Sequence, residues 1–270
     1  MPKHRQLWNA STYQRYLKEG RGQGEGVKYN PWVHIQDFSS NGTVSRIKGT
    51  KTGRVHHFMS NLETMFFFLL DWSDDVSDIR EQYPLLDLVN AIEIAEKAKI
   101  RYPYDPKSGF PYVMTSDFFI ETNKEPMVIT IKPSSDLKKE RVIEKLEIER
   151  RYWNNRNVSW KIVTENEINK TKAKNIEWLS QARDLSCFGI SENDSAIYCE
   201  YFIIRYENSP DNSLAGIVND FEENFKLPVG IGLNIFKNLA FWKRIKFDVN
   251  MNFSDYTRIN AYKQREVCNG

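Results

Sequence analysis

Two charged residues stand where apolar ones belong. Between residues 114 and 132 the chain reads Met-Thr-Ser-Asp-Phe-Phe-Ile-Glu, a polar break at residues 122–126, then Met-Val-Ile-Thr-Ile-Lys. Two β-prone runs around a turn predict a hairpin, with Asp117 on one strand and Lys132 at the end of the next. A structural ion pair between adjacent strands accounts for both charges. So does metal-dependent phosphodiester cleavage, in which the carboxylate holds a divalent ion and the lysine positions or activates the attacking water. Glu63 offers a second carboxylate. Ser60 and Glu63 have the spacing of a capping box, with the glutamate reaching back to the N-cap amide. A carboxylate in the first turn of a helix packed on the sheet can also point into the site that holds Asp117, and spacing alone leaves both roles open.

The elements that must carry these residues follow from the pattern. Residues 60–72 predict a helix, and residues 76–84 a strand that stops at Pro84. Residues 87–99 predict a second helix and 101–109 a loop. After the hairpin, a long charged helix runs from Ser134 or Ser135 to about Asn154, with i,i+4 pairs among Glu140, Arg141, Glu144 and Lys145 and an apolar stripe of Val142, Leu146 and Tyr152. A further strand covers residues 158–164. Helix, three strands, helix and strand make an α/β sandwich.

Upstream, Lys18-Glu-Gly-Arg-Gly-Gln-Gly-Glu-Gly26 alternates glycine with polar residues and reads as a flexible loop; it does not match the GxxxxGK[ST] phosphate loop. Trp32-Val-His-Ile alternates like a short strand, and residues 42–54 form a basic, glycine-punctuated loop or hairpin. His56 and His57 face opposite sides of a strand, which makes them a poor pair of ligands for one metal. Downstream, helices are expected over 169–182, 195–206, 212–225 and 232–243, followed by alternating runs at 245–251 and 257–262.

The 270 residues, 40% of them hydrophobic, suffice for a sizeable core in one or two domains. Net charge is only +2, but its distribution is uneven. Arg15, Lys18, Arg21, Lys28, Arg46, Lys48, Lys51 and Arg54 crowd the N-terminal part; Lys237, Lys243, Arg244, Lys246, Arg258, Lys263 and Arg265 crowd the end. Cys187, Cys199 and Cys268 form no CxxC pair, which suits a reducing cytoplasm and argues against structural zinc. The apolar run at 65–70 is too short to span a bilayer, and the N-terminus has no apolar signal segment.

Glu63 on a helix, Asp117 on a strand and Thr130-Ile131-Lys132 on the next resemble the PD-(D/E)xK arrangement of the restriction-endonuclease superfamily. Longer strings resemble one branch of it: Lys18-Glu-Gly-Arg-Gly-Gln-Gly, Lys51-Thr-Gly-Arg-Val-His-His, Asp78-Ile-Arg-Glu-Gln, Met114-Thr-Ser-Asp-Phe, Lys145-Leu-Glu-Ile-Glu-Arg-Arg-Tyr-Trp and Asn175-Ile-Glu-Trp-Leu. By these the chain is similar to the TnsA family, the endonuclease subunits of heteromeric cut-and-paste transposases.

The resemblance implies a restriction-endonuclease-like α/β domain, a mixed sheet with flanking helices, over residues 1–165 with its basic N-terminal arm. It implies a small, mainly α, winged-helix domain for DNA or partner binding over 166–270. Within that domain Leu233, Phe236, Leu239 and Ala240 would form the apolar face of a recognition-type helix, with Lys237, Lys243 and Arg244 outside it. Glu63 and Asp117 become the ligands of Mg²⁺, with Mn²⁺ able to substitute, the Ile131 carbonyl completes the shell, and Lys132 is the catalytic lysine. Position 130 departs from the pattern: threonine stands where Glu, Asp or Gln is usual, so a metal contact there would run through water. Glu149 is open between a supporting place near the metal and a solvated helix face. The implied partners are transposon-end DNA, a DDE-type transposase subunit and an AAA+ ATPase regulator, in a bacterial cytoplasm at the nucleoid. An adaptor with an inactive nuclease site and a standalone restriction or repair nuclease are the alternatives.

Overall fold

A computed structural model describes residues 7–37, 43–209 and 212–252. The chain divides into two compact units, Met1–Ile168 and Asn169–Gly270. In the first, α1 (Ala10–Lys18) precedes a two-stranded hairpin of β1 (Ser45–Lys48) and β2 (Val55–Phe58); α2 (Asn61–Asp71), β3 (Val76–Pro84), α3 (Leu88–Lys97), β4 (Thr115–Thr122), β5 (Met127–Ile131), α4 (Glu140–Asn154) and β6 (Ser159–Val163) follow. The four later strands form one sheet in the order β3-β4-β5-β6. The first two pairings are antiparallel, and β6 returns parallel to β5 across α4.

Both faces of this sheet are covered, which is why β4 and β5 read as nearly unbroken apolar runs. Phe118, Ile120, Ile129 and Ile131 pack with Ile79, Phe58 and Phe67 of α2. Phe119 and Val128 pack with Ala91 and Ile94 of α3 and with Ile148, Tyr152 and Trp153 of α4.

Two upstream expectations change. The glycine-rich segment is a fixed turn: Gly22 N–H donates to Asn30 O at 2.6 Å, and Gly22 and Gly24 both have positive φ. A Cβ on Gly22 would lie 2.3 Å from the Pro84 ring, and one on Gly24 2.5 Å from Lys28 O, so glycine is needed at 22 for close packing against the end of β3 and at 24 for the turn's own backbone. Residues 32–35 form no strand. Asp37 accepts the His34 N–H and pairs with Arg21 at 2.6 Å, which folds the segment into a short 3-10 turn over Ile35–Asp37.

His56 and His57 do face opposite ways, and His56 is completely buried. Its Nδ1–H donates to Glu81, which also receives Arg54 Nη1 and Nη2 at 2.8 and 2.5 Å and the His57 amide at 3.0 Å. Burial alone would raise the Glu81 carboxyl; Arg54 and His56 outweigh it and hold the pKa down to about 2. The folded value is depressed below the ordinary 4.5, so the stabilisation is complete above that pH and is lost as pH falls toward 2. The shift corresponds to about 3 kcal/mol. Glu81→Gln leaves Arg54 buried without a counter-charge and is expected to lower stability at pH 7 by about 3 kcal/mol. Urea unfolding between pH 7 and 2.5 checks this: the gap between wild type and variant should close on the acid side, and a gap independent of pH would refute it.

The second unit contains α5 (Lys170–Ser180), α6 (Glu192–Asn208), α7 (Leu214–Phe225) and α8 (Ile231–Phe241), and no strand among the described residues. The run at 245–251, expected as a wing strand, is turn and irregular chain. Asn175 on α5 explains this: its amide donates to Val249 O and Met251 O at 2.7 and 2.6 Å, taking up carbonyls that a partner strand would need. The second expected wing run, 257–262, lies outside the described residues, as do Arg258, Lys263, Arg265 and Cys268. Nor is α8 a free recognition helix. Lys237, placed outside its apolar face by the pattern, is buried, donates to Gln181 at 3.0 Å and lies over the Trp178 ring. Helix α8 packs against α5, α6 and α7 and is the core of this unit.

Candidate active site

Asp117 owes its position to a local irregularity. The β3-β4 register pairs Tyr83 with Ser116 and Glu81 with Phe118, but skips Gln82 and Asp117 between them. Gln82 has a φ of 49°, uncommon for a residue with a side chain. In a regular strand residues 116 and 118 share a face. Here Ser116 turns to α4, bonding Glu149 at 2.6 Å and receiving the Trp153 indole N–H at 2.8 Å, whereas Phe118 packs on Phe58 and Phe66. Backbone strain of this kind concentrates where function needs an unusual side-chain direction.

Four groups meet at Asp117. Its Oδ2 accepts the Ile131 N–H at 2.6 Å and Lys132 Nζ at 3.1 Å; the same Nζ donates to the Ile131 carbonyl at 2.9 Å. Glu63 faces the same place from the first turn of α2. Ser60 caps that helix, donating its hydroxyl to Glu63 at 2.8 Å, and the Met59 N–H donates to Glu63 at 3.0 Å. The capping box is therefore real, but the glutamate reaches the amide one residue before the N-cap. Its Oε2 also accepts a long bond from Gln82 Nε2, at 3.4 Å. Burial, then the charge of Asp117, push the Glu63 carboxyl up to about 7. For Lys132, burial works against the ammonium, yet Asp117, Glu149 and Glu63 together win and raise its pKa.

A buried Glu63 carboxyl pushed up this far beside Asp117 asks for positive charge beyond one lysine. The oxygens on offer, Glu63, Asp117 and the Ile131 carbonyl, are hard donors of the kind that suit Mg²⁺. Among the described residues no cluster of three or more His, Cys, Asp or Glu side chains could hold a metal, so a metal here depends on the backbone carbonyl and water. The donor set fits such an ion.

Glu149 is buried, at 3% exposure, and its surroundings exclude a solvated helix face. Its Oε1 accepts from Ser116, Thr130 and Trp160 Nε1. Burial raises its pKa, and those three donors only partly oppose the shift. The Thr130 hydroxyl is thus spent on Glu149. Through Ser116 and Thr130 the glutamate ties α4 to the residues immediately before Asp117 and Ile131. A signal for this existed: Glu149 falls three residues after Leu146 and three before Tyr152, in the middle of the stripe that α4 buries. Gln82 carried no comparable signal.

The model described as "TnsA-like endonuclease N terminal" matches residues 73–165, which include Asp117, Ile131, Lys132 and Glu149, and the one described as "TnsA endonuclease C terminal" matches residues 167–249. The transposon Tn7 transposition protein TnsA of Escherichia coli is 34% identical over 259 residues, spanning 94% of this chain and 89% of its own length. Similarity that runs through both units and nearly the full length of both proteins settles the relationship: the chain belongs to the TnsA family of transposition endonucleases.

Proposed function

We propose that the chain hydrolyses one DNA strand at the 5′ ends of a transposon, with Glu63, Asp117 and the Ile131 carbonyl holding Mg²⁺ or Mn²⁺ and Lys132 as the catalytic lysine. The observation that carries this reading is the convergence on Asp117 of the Lys132 ammonium, the Ile131 backbone and the Glu63 carboxyl, whose ionisation the charge of Asp117 opposes. A divalent ion, when bound, neutralises the phosphodiester and stabilises the leaving oxygen. Lys132 orients the attacking water or donates to the developing charge, and Asp117, fixed by the Ile131 N–H, keeps the lysine in place. Glu149 is a positioning residue, acting through Ser116 and Thr130. Thr130, whose hydroxyl is given to Glu149, contributes at most a water-mediated contact to the ion. Cleavage leaves a 3′-hydroxyl and a 5′-phosphate.

Named as it is, the Escherichia coli relative supports a place in a transposition assembly. On this reading the partners are transposon-end DNA, a DDE-type transposase subunit that works on the other strand, and an AAA+ ATPase regulator, all at the nucleoid of a bacterial cytoplasm. No described helix is long and apolar enough to cross a membrane. Residues 166–270 serve as the docking domain; α6 to α8 supply the helical part of a winged helix, and Lys243 and Arg244 remain exposed at the end of α8. Residues 1–165 carry the nuclease and the basic arm. Incubating the chain with its partner subunits and end DNA in Mg²⁺, Mn²⁺ or EDTA tests the reading. Metal-dependent nicking at the 5′ ends is expected; no nicking in either metal would favour an inactive adaptor, and specific cutting by the chain alone a standalone nuclease.

A further inference from the structure

The basic N-terminal arm does not present all its cations to solvent. Arg21 and Arg54 are buried in ion pairs with Asp37 and Glu81. Arg54 nevertheless reaches a cleft of about 400 Å³, open to solvent, between residues 27–36 and the β1-β2 hairpin. Two arginines (Arg46, Arg54), two imidazoles (His34, His57) and two amides (Asn30, Gln36) line it together with Tyr29, Pro31 and two valines; among the described residues no acidic one does. Three Arg54 hydrogens bond Glu81 and Ile79, and its buried Nε–H has no partner among the described residues. His57 Nδ1 accepts the Ile35 N–H, so the proton of this ring sits on Nε2 as a donor. Burial, and then His34, lower the His57 pKa, so the ring donates as a neutral group. Asn30 already donates to Glu19 O at 3.0 Å and pairs with His34 at 2.8 Å, which leaves Arg46, the Gln36 amide and the His57 Nε2–H as the donors offered to a ligand. Tyr29, the one aromatic carbocycle in the lining, is buried and stacked on Tyr83, which leaves no platform for a base.

The cleft adjoins the site described above along two strands. Glu81 anchors Arg54 and the His57 amide, and the next residue, Gln82, touches Glu63. Met59, which donates to Glu63, is two residues beyond His57, about 7 Å at the rise of an extended chain. At roughly 3.4 Å of duplex per nucleotide, that is a few nucleotides from the bond to be cut.

We propose that this cleft seats a backbone phosphate of the DNA flanking the cleavage point, held by Arg46 with the His57 Nε2–H and the Gln36 amide as further donors. It rests on the nuclease reading for its substrate, but reports through binding. Arg46 is exposed on β1 and can be changed without disturbing the core. In EDTA, titration of full-length protein onto end-containing duplex at several salt concentrations should give Arg46→Ala a slope of log affinity against log salt about 0.9 shallower than wild type, the loss of one phosphate contact. Arg46→Glu should weaken binding about tenfold or more. A scan with single methylphosphonates should find, in wild type, sensitive positions flanking the cut that become insensitive in Arg46→Ala.

Unchanged slope and affinity in both variants, or methylphosphonate sensitivity that persists without Arg46, would overturn the proposal. So would perturbation of His57 ring signals by inorganic phosphate in a protein whose DNA binding ignores Arg46, since the cleft would then take the free anion; binding of an acidic peptide with no effect on DNA would do the same. Asp117→Ala separates the two readings: it should keep the wild-type slope, so cutting can fail while the seat stands, and the seat can fail while cutting persists.

Discussion

Asp117→Ala is expected to lower strand cleavage by at least ~10³-fold, about 4 kcal/mol of transition-state stabilisation. The substitution removes the proposed metal carboxylate and also the acceptor that fixes both the Ile131 amide and Lys132. Lys132→Ala should be comparably inactive through loss of the ammonium alone. Neither change opens the apolar core on either side of the sheet, so both variants should fold and enter the assembly, Asp117→Ala with a loss of about 1–3 kcal/mol for the buried Ile131 N–H left without its acceptor. Wild-type cutting rates in either one would end the assignment. Glu63→Gln is the finer instrument. Glutamine can still accept from the Ser60 hydroxyl and the Met59 amide, so the cap survives, while the charge offered to an ion is gone. Cutting should fall with helix stability preserved; normal cutting would reduce Glu63 to a cap. Rates measured from pre-formed complexes, after metal addition, keep assembly defects out of the comparison.

What the sequence reveals of this site depends on how local each cause is. The hairpin and α2 follow from propensity, turn residues and an N-cap, all within a few residues of one another, so Asp117, Lys132 and Glu63 stand out as charges in the wrong company. Glu149 has an equally local signature, its place in an apolar stripe, but the surrounding Glu, Arg and Lys of α4 mask it. The irregularity at Gln82 is another matter. It arises from how β3 passes β4, and nothing at position 82 shows that the ladder will skip there. Long-range pairing also decides the fate of the basic residues. Arg21, Arg54 and Lys237 look like surface charges, and become buried only because Asp37, Glu81 and Gln181 meet them in the fold. The glycine-rich turn misleads partly for the same reason, since Gly22 packs against Pro84, about sixty residues away. In the second unit, one side chain, Asn175, diverts residues 245–251 from the strand that their alternation suggests.

The largest effect in a complete reaction should appear in the products. If this chain cuts only the strand bearing the 5′ ends and a DDE-type subunit cuts and joins the 3′ ends, the two activities reside in different polypeptides and one can be removed without the other. An assembly carrying Asp117→Ala then retains strand transfer. The 3′ ends attack the target while the 5′ ends stay joined to the donor, because the bond that would release them is the one this site hydrolyses. Such an intermediate is branched at both ends of the element, and replication across it fuses donor and target through two copies of the transposon. Wild-type protein should therefore give simple insertions free of donor backbone, and Asp117→Ala should shift nearly all products to fusions. The total number of joined ends should change far less than their kind, which distinguishes loss of one cut from a failure to assemble. Long-read sequencing across the junctions of individual products reads both quantities at once. Simple insertions at the wild-type frequency from the Asp117→Ala assembly would show that the second cut is made elsewhere, and a proportional loss of every product would place Asp117 in assembly instead of in cleavage.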